Sequence, residues 1–99
     1  MPVRKNINRP IDILDSRHVM SLILYINEYG PSRRIDIYDN VSRNSNMPDK
    51  IGIMKEWGLI EEVPTVDGML LGLTDSGMAV ANMLLSIESV LKVGSGAKV

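Results

Sequence analysis

Four short motifs in fixed order constrain this chain most: Gly30-Pro31, Gly58-Leu59-Ile60, Asp67-Gly68 and Leu73-Thr74-Asp75-Ser76-Gly77. Each marks an element boundary by a physical rule. Glycine takes the left-handed backbone that closes a helix, and proline cannot continue one. Asp-Gly between extended segments supplies the two positive φ values that a tight hairpin turn needs. Thr74 can accept the first orphan N–H groups of a following helix. Residues 32–77 therefore read as helix, turn, helix, short hairpin, helix.

Apolar spacing fills in the elements. A first helix is predicted over residues 16–29, capped by Asp15 or Ser16, with Val19, Leu22, Ile23 and Ile26 as its core stripe. A second, short helix starts behind Ser32 and reaches about Asp39, with Ile35, Tyr38 and Val41 inward. Residues 40–46, NVSRNSN, are a turn. Asn46 then caps a third helix, with Pro48 in its first turn and Asp49 in the capping-box position. Met47, Ile51 and Met54 form its buried stripe, and Gly58 ends it. Residues 59–66 and 69–74 read as two strands around Asp67-Gly68. Pro64 makes the first a partly paired edge, and Met69, Leu71 and Leu73 alternate on the second. The last helix runs from Thr74 to about Val93.

Composition excludes several function classes. Ninety-nine residues with an apolar fraction of 44% make one domain with one core. No cysteine is present, which removes disulfides, thiolate nucleophiles and the commonest zinc sites. His18, the only histidine, has no second imidazole to share a metal; a surface or cap role is expected of it. No Ser/His/Asp order, phosphate loop or calcium-loop spacing occurs, so neither enzyme activity nor a cofactor is expected. No run of about 18 apolar residues is visible, so no membrane span is expected, and a cytoplasmic location fits best. Residues 1–55 carry nine Lys/Arg against six Asp/Glu, and residues 56–99 carry two against six. A basic half facing an acidic half permits polyanion binding on one side.

Residues 23–77 resemble the winged helix-turn-helix transcriptional regulators of small archaeal and bacterial type. The matching residues are Gly30-Pro31, Arg34 with Asp36-Ile37, Gly58-Leu59-Ile60-Glu61, and Leu73-Thr74-Asp75-Ser76-Gly77. The resemblance implies a mainly α fold with a small β-hairpin, in which the third helix enters the major groove of double-stranded DNA and the hairpin contacts the backbone. It also implies dimerisation through terminal helices. The expected organisation is an N-terminal arm (1–14), a winged-helix domain (15–77), a long C-terminal dimerisation helix (74–93) and a flexible tail (94–99). The hairpin departs from the family pattern: EEVPTVDGML holds Glu61, Glu62 and Asp67 and no cation.

Around the helix-turn-helix, Arg33, Arg34 and Arg43 are the expected phosphate ligands, and Asn44, Ser45, Asn46 and Lys50 the expected base readers. Arg4, Lys5 and Arg9 in the arm could enter a minor groove, with a disordered terminus as the plainer alternative. Trp57 is expected to cover the core edge. On a helical wheel the third helix presents Ser45, Asn46, Asp49, Gly52, Ile53 and Glu56 outward. The last helix is apolar over most of its circumference, more than one face of so small a domain can bury. Met78, Ala81, Leu84, Leu85, Ile87 and Leu91 are therefore assigned to a homodimer interface, with Asn82 and Ser86 setting register. The runner-up is a winged-helix module that binds protein through the acidic wing or the exposed Ile53.

Overall fold

The computed structural model describes residues 9–96, with side chains to residue 94. The chain runs through a 3-10 helix (Pro10–Asp15), α1 (Val19–Tyr29), α2 (Arg34–Asn40), α3 (Met47–Glu56), β1 (Ile60–Thr65), β2 (Gly68–Leu73) and α4 (Asp75–Gly96). The two strands form one antiparallel hairpin. The core gathers Val19, Leu22, Ile23 and Ile26 of α1, Ile37 of α2, and Met47, Ile51 and Met54 of α3. Leu59, Ile60 and Leu71 join from the hairpin, and Ala81 and Leu84 from α4. The stripes expected on α1 and α3 are thus the ones buried.

The start of α1 departs from expectation. Pro10 initiates a 3-10 helix, whose first turn is closed by the Arg9 N–H donating to Asp12 at 3.0 Å. α1 then begins at Val19 behind His18, which takes the left-handed conformation at φ +71° and makes no side-chain cap. Asp15 and Ser16 lie too early in the chain to cap it. Ile13 is buried and Leu14 packs against the core, but Ile11 is exposed. Arg4 and Lys5 lie outside the described residues.

α2 is entered one residue later than expected. Ser32 belongs to the sheet: its N–H donates to the Leu71 carbonyl at 3.0 Å, and its carbonyl accepts from the Leu71 N–H at 2.8 Å. Its Oγ donates back to the Gly30 carbonyl. Arg33 is the N-cap instead. The inward residue is Ile37, flanked by half-buried Tyr38 and Val41, and Ile35 is exposed. Ile35 lies two positions from Ile37, which on a helix is nearly the opposite side.

The hairpin turn is shifted by one residue. Thr65 pairs with Gly68, so the connecting residues are Val66-Asp67 rather than Asp67-Gly68. Gly68 alone in this turn has a positive φ, and Thr65 Oγ1 donates to its carbonyl. The double-positive turn is therefore not formed. Leu71 is buried and Leu73 half-buried, as alternation requires, but Met69 at the tip lies beyond reach of the core.

The closing motif ties three elements together. The Leu59 carbonyl accepts from the Thr74 N–H at 3.1 Å. Thr74 Oγ1 donates to the Gly58 carbonyl and accepts from the Gly77 N–H at 3.0 Å, which makes Thr74 the N-cap of α4. Gly77 lets the helix approach so closely that a Cβ there would sit 2.1 Å from the Leu59 oxygen.

α4 leaves the domain part-way along. Ala81 and Leu84 pack into the chain's own core, whereas every residue from Leu85 to Gly94 is exposed. The radius of gyration is 14.6 Å, above the about 13 Å of a compact chain this size. Residues 75–94 are also long and apolar enough, by length and composition, to cross a membrane. No uninterrupted apolar run marks this stretch, because Asn82, Ser86, Glu88 and Ser89 break the run without removing the average.

Candidate nucleic-acid interface

α2, the 41–46 turn, α3 and the hairpin bring the expected site residues onto one region, but their side chains are already engaged in specific ways. Arg33 and Asp36 form a bidentate pair, with Nε to Oδ2 and Nη2 to Oδ1 both 3.0 Å. Asp36 also accepts the Arg33 backbone N–H at 3.3 Å, so it closes the first turn of α2. The hydrogen bond from the Arg33 guanidinium, reinforced by that backbone bond and by charge attraction, holds the Asp36 carboxyl below the usual carboxylate range. The same contact raises Arg33. Arg43 pairs with Asp39 one turn back. Arg34 Nη2 lies 3.5 Å from Glu62 Oε2, and Lys55 Nζ lies 3.2 Å from the same oxygen. All these pairs are solvent-exposed, and pairs of this kind are weak and screened by salt. A phosphate oxygen can therefore replace the single carboxylate that Arg33 or Arg43 holds, whereas Glu62 is held by two cations at once.

The polar residues divide into two groups. Asn44 organises the turn: its Oδ1 accepts the Asn46 N–H at 2.8 Å and its carbonyl accepts the Met47 N–H at 3.0 Å. The Asn44 N–H in turn donates to Ser42 Oγ. Asn44 therefore holds the start of α3, the cap role that sequence spacing assigns to Asn46 and Asp49. The Asn46 side chain caps nothing and is exposed, as is Ser45. Lys50 is drawn off the outer face, with Nζ donating to Ser16 Oγ at 3.1 Å. Ile53 is half-buried against the core rather than exposed. Trp57 at the end of α3 is 41% exposed. A shallow cleft of about 210 Å³ between α2 and α3 is lined by Tyr38, Arg43, Asn44, Ser45 and Pro48.

The charge of this surface is not basic. Residues 32–68 hold five cations (Arg33, Arg34, Arg43, Lys50 and Lys55) against seven carboxylates (Asp36, Asp39, Asp49, Glu56, Glu61, Glu62 and Asp67). The basic excess of the first half of the chain resides in Arg4, Lys5, Arg9 and Arg17, outside the helix-turn-helix. The i,i+3 spacing of Arg33-Asp36 and the i,i+4 spacing of Asp39-Arg43 are the signal by which those pairs could have been found. Glu62 gives no such signal, because it is 28 residues from Arg34.

No family model matches the chain, and no curated protein matches it. A solved structure does match. It is a reported archaeal mechanosensitive channel, described as a structural homologue of MarR-like transcriptional regulators. It superposes with a TM-score of 0.73 at 18% identity, over 99% of this chain and 90% of that one. The fold is the MarR-like winged helix. In winged-helix terms, α2 and α3 are the helix-turn-helix and β1-β2 is the wing. The long α4 lies within the 99% of the chain that the match covers, so it belongs to the shared architecture.

Proposed function

We propose that this winged-helix protein is a cytoplasmic, homodimeric transcriptional regulator that binds double-stranded DNA in a sequence-specific way. The observation that carries the reading is the exposed start of α3. There Ser45 and Asn46 lie at the surface beside Arg43, and no hydrogen bond among the described residues occupies their side chains. In a helix-turn-helix the N-terminal residues of the second helix reach base edges. Asn and Ser offer both donors and acceptors there. Arg33, Arg34 and Arg43 take phosphates by exchanging their carboxylate partners. Asn44 positions this face, and Lys50 braces α3 against the turn before α1.

The dimer is supported by α4. Met78, Met83, Leu85, Ile87, Val90, Leu91 and Val93 are exposed along one helix that projects from the core. Of the interface assigned from sequence, Met78, Leu85, Ile87 and Leu91 remain available, whereas Ala81 and Leu84 are used inside the chain. A second copy packing along the same helix would bury this surface and place two α3 helices on one duplex.

Fluorescence anisotropy with a mixed-sequence duplex at rising salt tests the reading. Wild-type binding should weaken with salt. Arg43→Ala should flatten the dependence by about one unit across all sequences, and Asn46→Ala should relax sequence preference instead. If neither substitution alters binding, the face is wrong. The wing supports a second reading. Its tip carries a fully exposed Val66 and an exposed Met69 beside Asp67, Glu61 lies further down β1, and the wing holds no cation. Absence of DNA binding even at low salt would select a protein-binding wing.

A further inference from the structure

Among the described ion pairs, Glu62 is the one carboxylate that bridges two elements of the helix-turn-helix at once. It stands on β1 opposite Leu71, and Leu71 is the residue bridged to Ser32 at the entry of α2. That three-residue row brings the wing alongside α2, where Arg34 opens the helix. Lys55, in the last turn of α3, arrives from the other side. One Glu62 oxygen receives both cations, at 3.5 Å from Arg34 and 3.2 Å from Lys55. A phosphate oxygen lying between the wing and the two helices would meet the same two cations.

We propose that Glu62 is a built-in occupant of a phosphate site: it holds Arg34 and Lys55 together in the free protein and suppresses sequence-independent binding to DNA. The inference rests on the DNA-binding reading above and deepens it. With Glu62 in place, the two cations and one carboxylate carry a net charge of +1, and a phosphate must displace the carboxylate before it reaches either cation. At a matched site, base recognition by Ser45 and Asn46 helps to drive that exchange. On mismatched DNA nothing does. The wing's lack of cations is then the same device seen in the sequence: the wing brings an acid to the site and the helices bring the bases.

The test compares E62Q with E61Q and the wild type on a mixed-sequence duplex, by anisotropy between about 50 and 200 mM salt. Glu61 is exposed on the same strand and takes part in no ion pair among the described residues. E61Q therefore removes the same charge without freeing a cation. Each further phosphate neutralised steepens the logarithmic salt slope by about 0.9, or about 3.5-fold in affinity over that fourfold range. E62Q should bind more tightly at the low-salt end. Across the range it should lose about 3- to 12-fold more affinity than the wild type, which corresponds to one or two further phosphates neutralised. E61Q should keep the wild-type slope. Both substituted residues are exposed, so thermal unfolding should show folded variants.

A wild type that binds DNA while E62Q keeps its affinity and slope, or merely matches E61Q, overturns the Glu62 inference and leaves the DNA-binding reading standing. If neither the wild type nor E62Q binds at low salt, the DNA-binding reading fails and the inference falls with it.

Discussion

Replacing Gly77 by alanine should destabilise the fold although it puts a better helix former into a helix. A Cβ at Gly77 would lie 2.1 Å from the Leu59 carbonyl oxygen and 3.1 Å from its carbon. The obstructing atoms are backbone, so no rotamer change relieves the clash, and Leu59 and α4 must separate by about an ångström. Overpacking of this kind costs about 1–3 kcal/mol. Separation also weakens the 3.1 Å bond from the Thr74 N–H to the Leu59 carbonyl, worth about 1 kcal/mol. Helix propensity offsets about 1 kcal/mol. The net loss is about 1–3 kcal/mol, or roughly 4–24 °C in Tm for a domain of this size. Gly52→Ala is the opposite case. It lies inside α3, is exposed, and a Cβ there would meet nothing within 4 Å. It should gain about 1 kcal/mol from propensity alone. Thermal unfolding followed by circular dichroism reads both. If Gly77→Ala were as stable as the wild type, or if both variants moved in the same direction, the close approach of α4 to the Leu59 backbone would be refuted.

Three further outcomes rest on individual side chains. Leu91→Glu changes a residue that is 65% exposed, so it should leave the fold intact and halve the mass. Light scattering should read twice 11.0 kDa for the wild type and 11.0 kDa for the variant. A wild type already at the lower mass would remove α4 as a dimer helix. Asp36 is held below its ordinary pKa chiefly by the Arg33 hydrogen bond. Its stabilisation is therefore complete above the unfolded value and is lost as pH falls through the lower folded value. Asp36→Asn should lower the neutral plateau slightly and converge with the wild type at the acid end, which flattens the acid limb; an unaltered acid limb would show that the pair does not form. Arg43→Ala and Asn46→Ala should separate in the anisotropy titration, one changing the salt slope and the other the sequence preference.

The helix-turn-helix and the wing were legible because local rules mark their borders. Gly30, Gly58 and Thr74 sit where backbone chemistry requires a stop or a cap, and the stripes on α1 and α3 follow a period that only burial explains. The errors fall where a distant partner overrode a local preference. Ser32 is a good N-cap by type, but Leu71 claimed its backbone for the sheet. Asp67-Gly68 is a good turn, but the pairing of Thr65 with Gly68 moved the loop back one residue. His18 took a left-handed conformation that nothing in its neighbours announces. At the candidate site the residue types were readable and their partners were not. Whether Lys50 faces a groove or Ser16, and whether Glu62 repels phosphate or holds two cations, depends on partners 34 and 28 residues apart. The dimer residues show the same limit. Helical spacing named Ala81 and Leu84 together with Leu85 and Ile87, and only the packing of α4 against the core assigns the first two to the inside.

The central claim, that the start of α3 reads DNA, is tested most directly by amide chemical shifts on titration with a short duplex. Binding through the proposed face predicts shifts concentrated at residues 32–34, 43–49 and the wing, with residues 85–94 of α4 unmoved. Shifts confined to α4, or none at any ratio of duplex to protein, would contradict it.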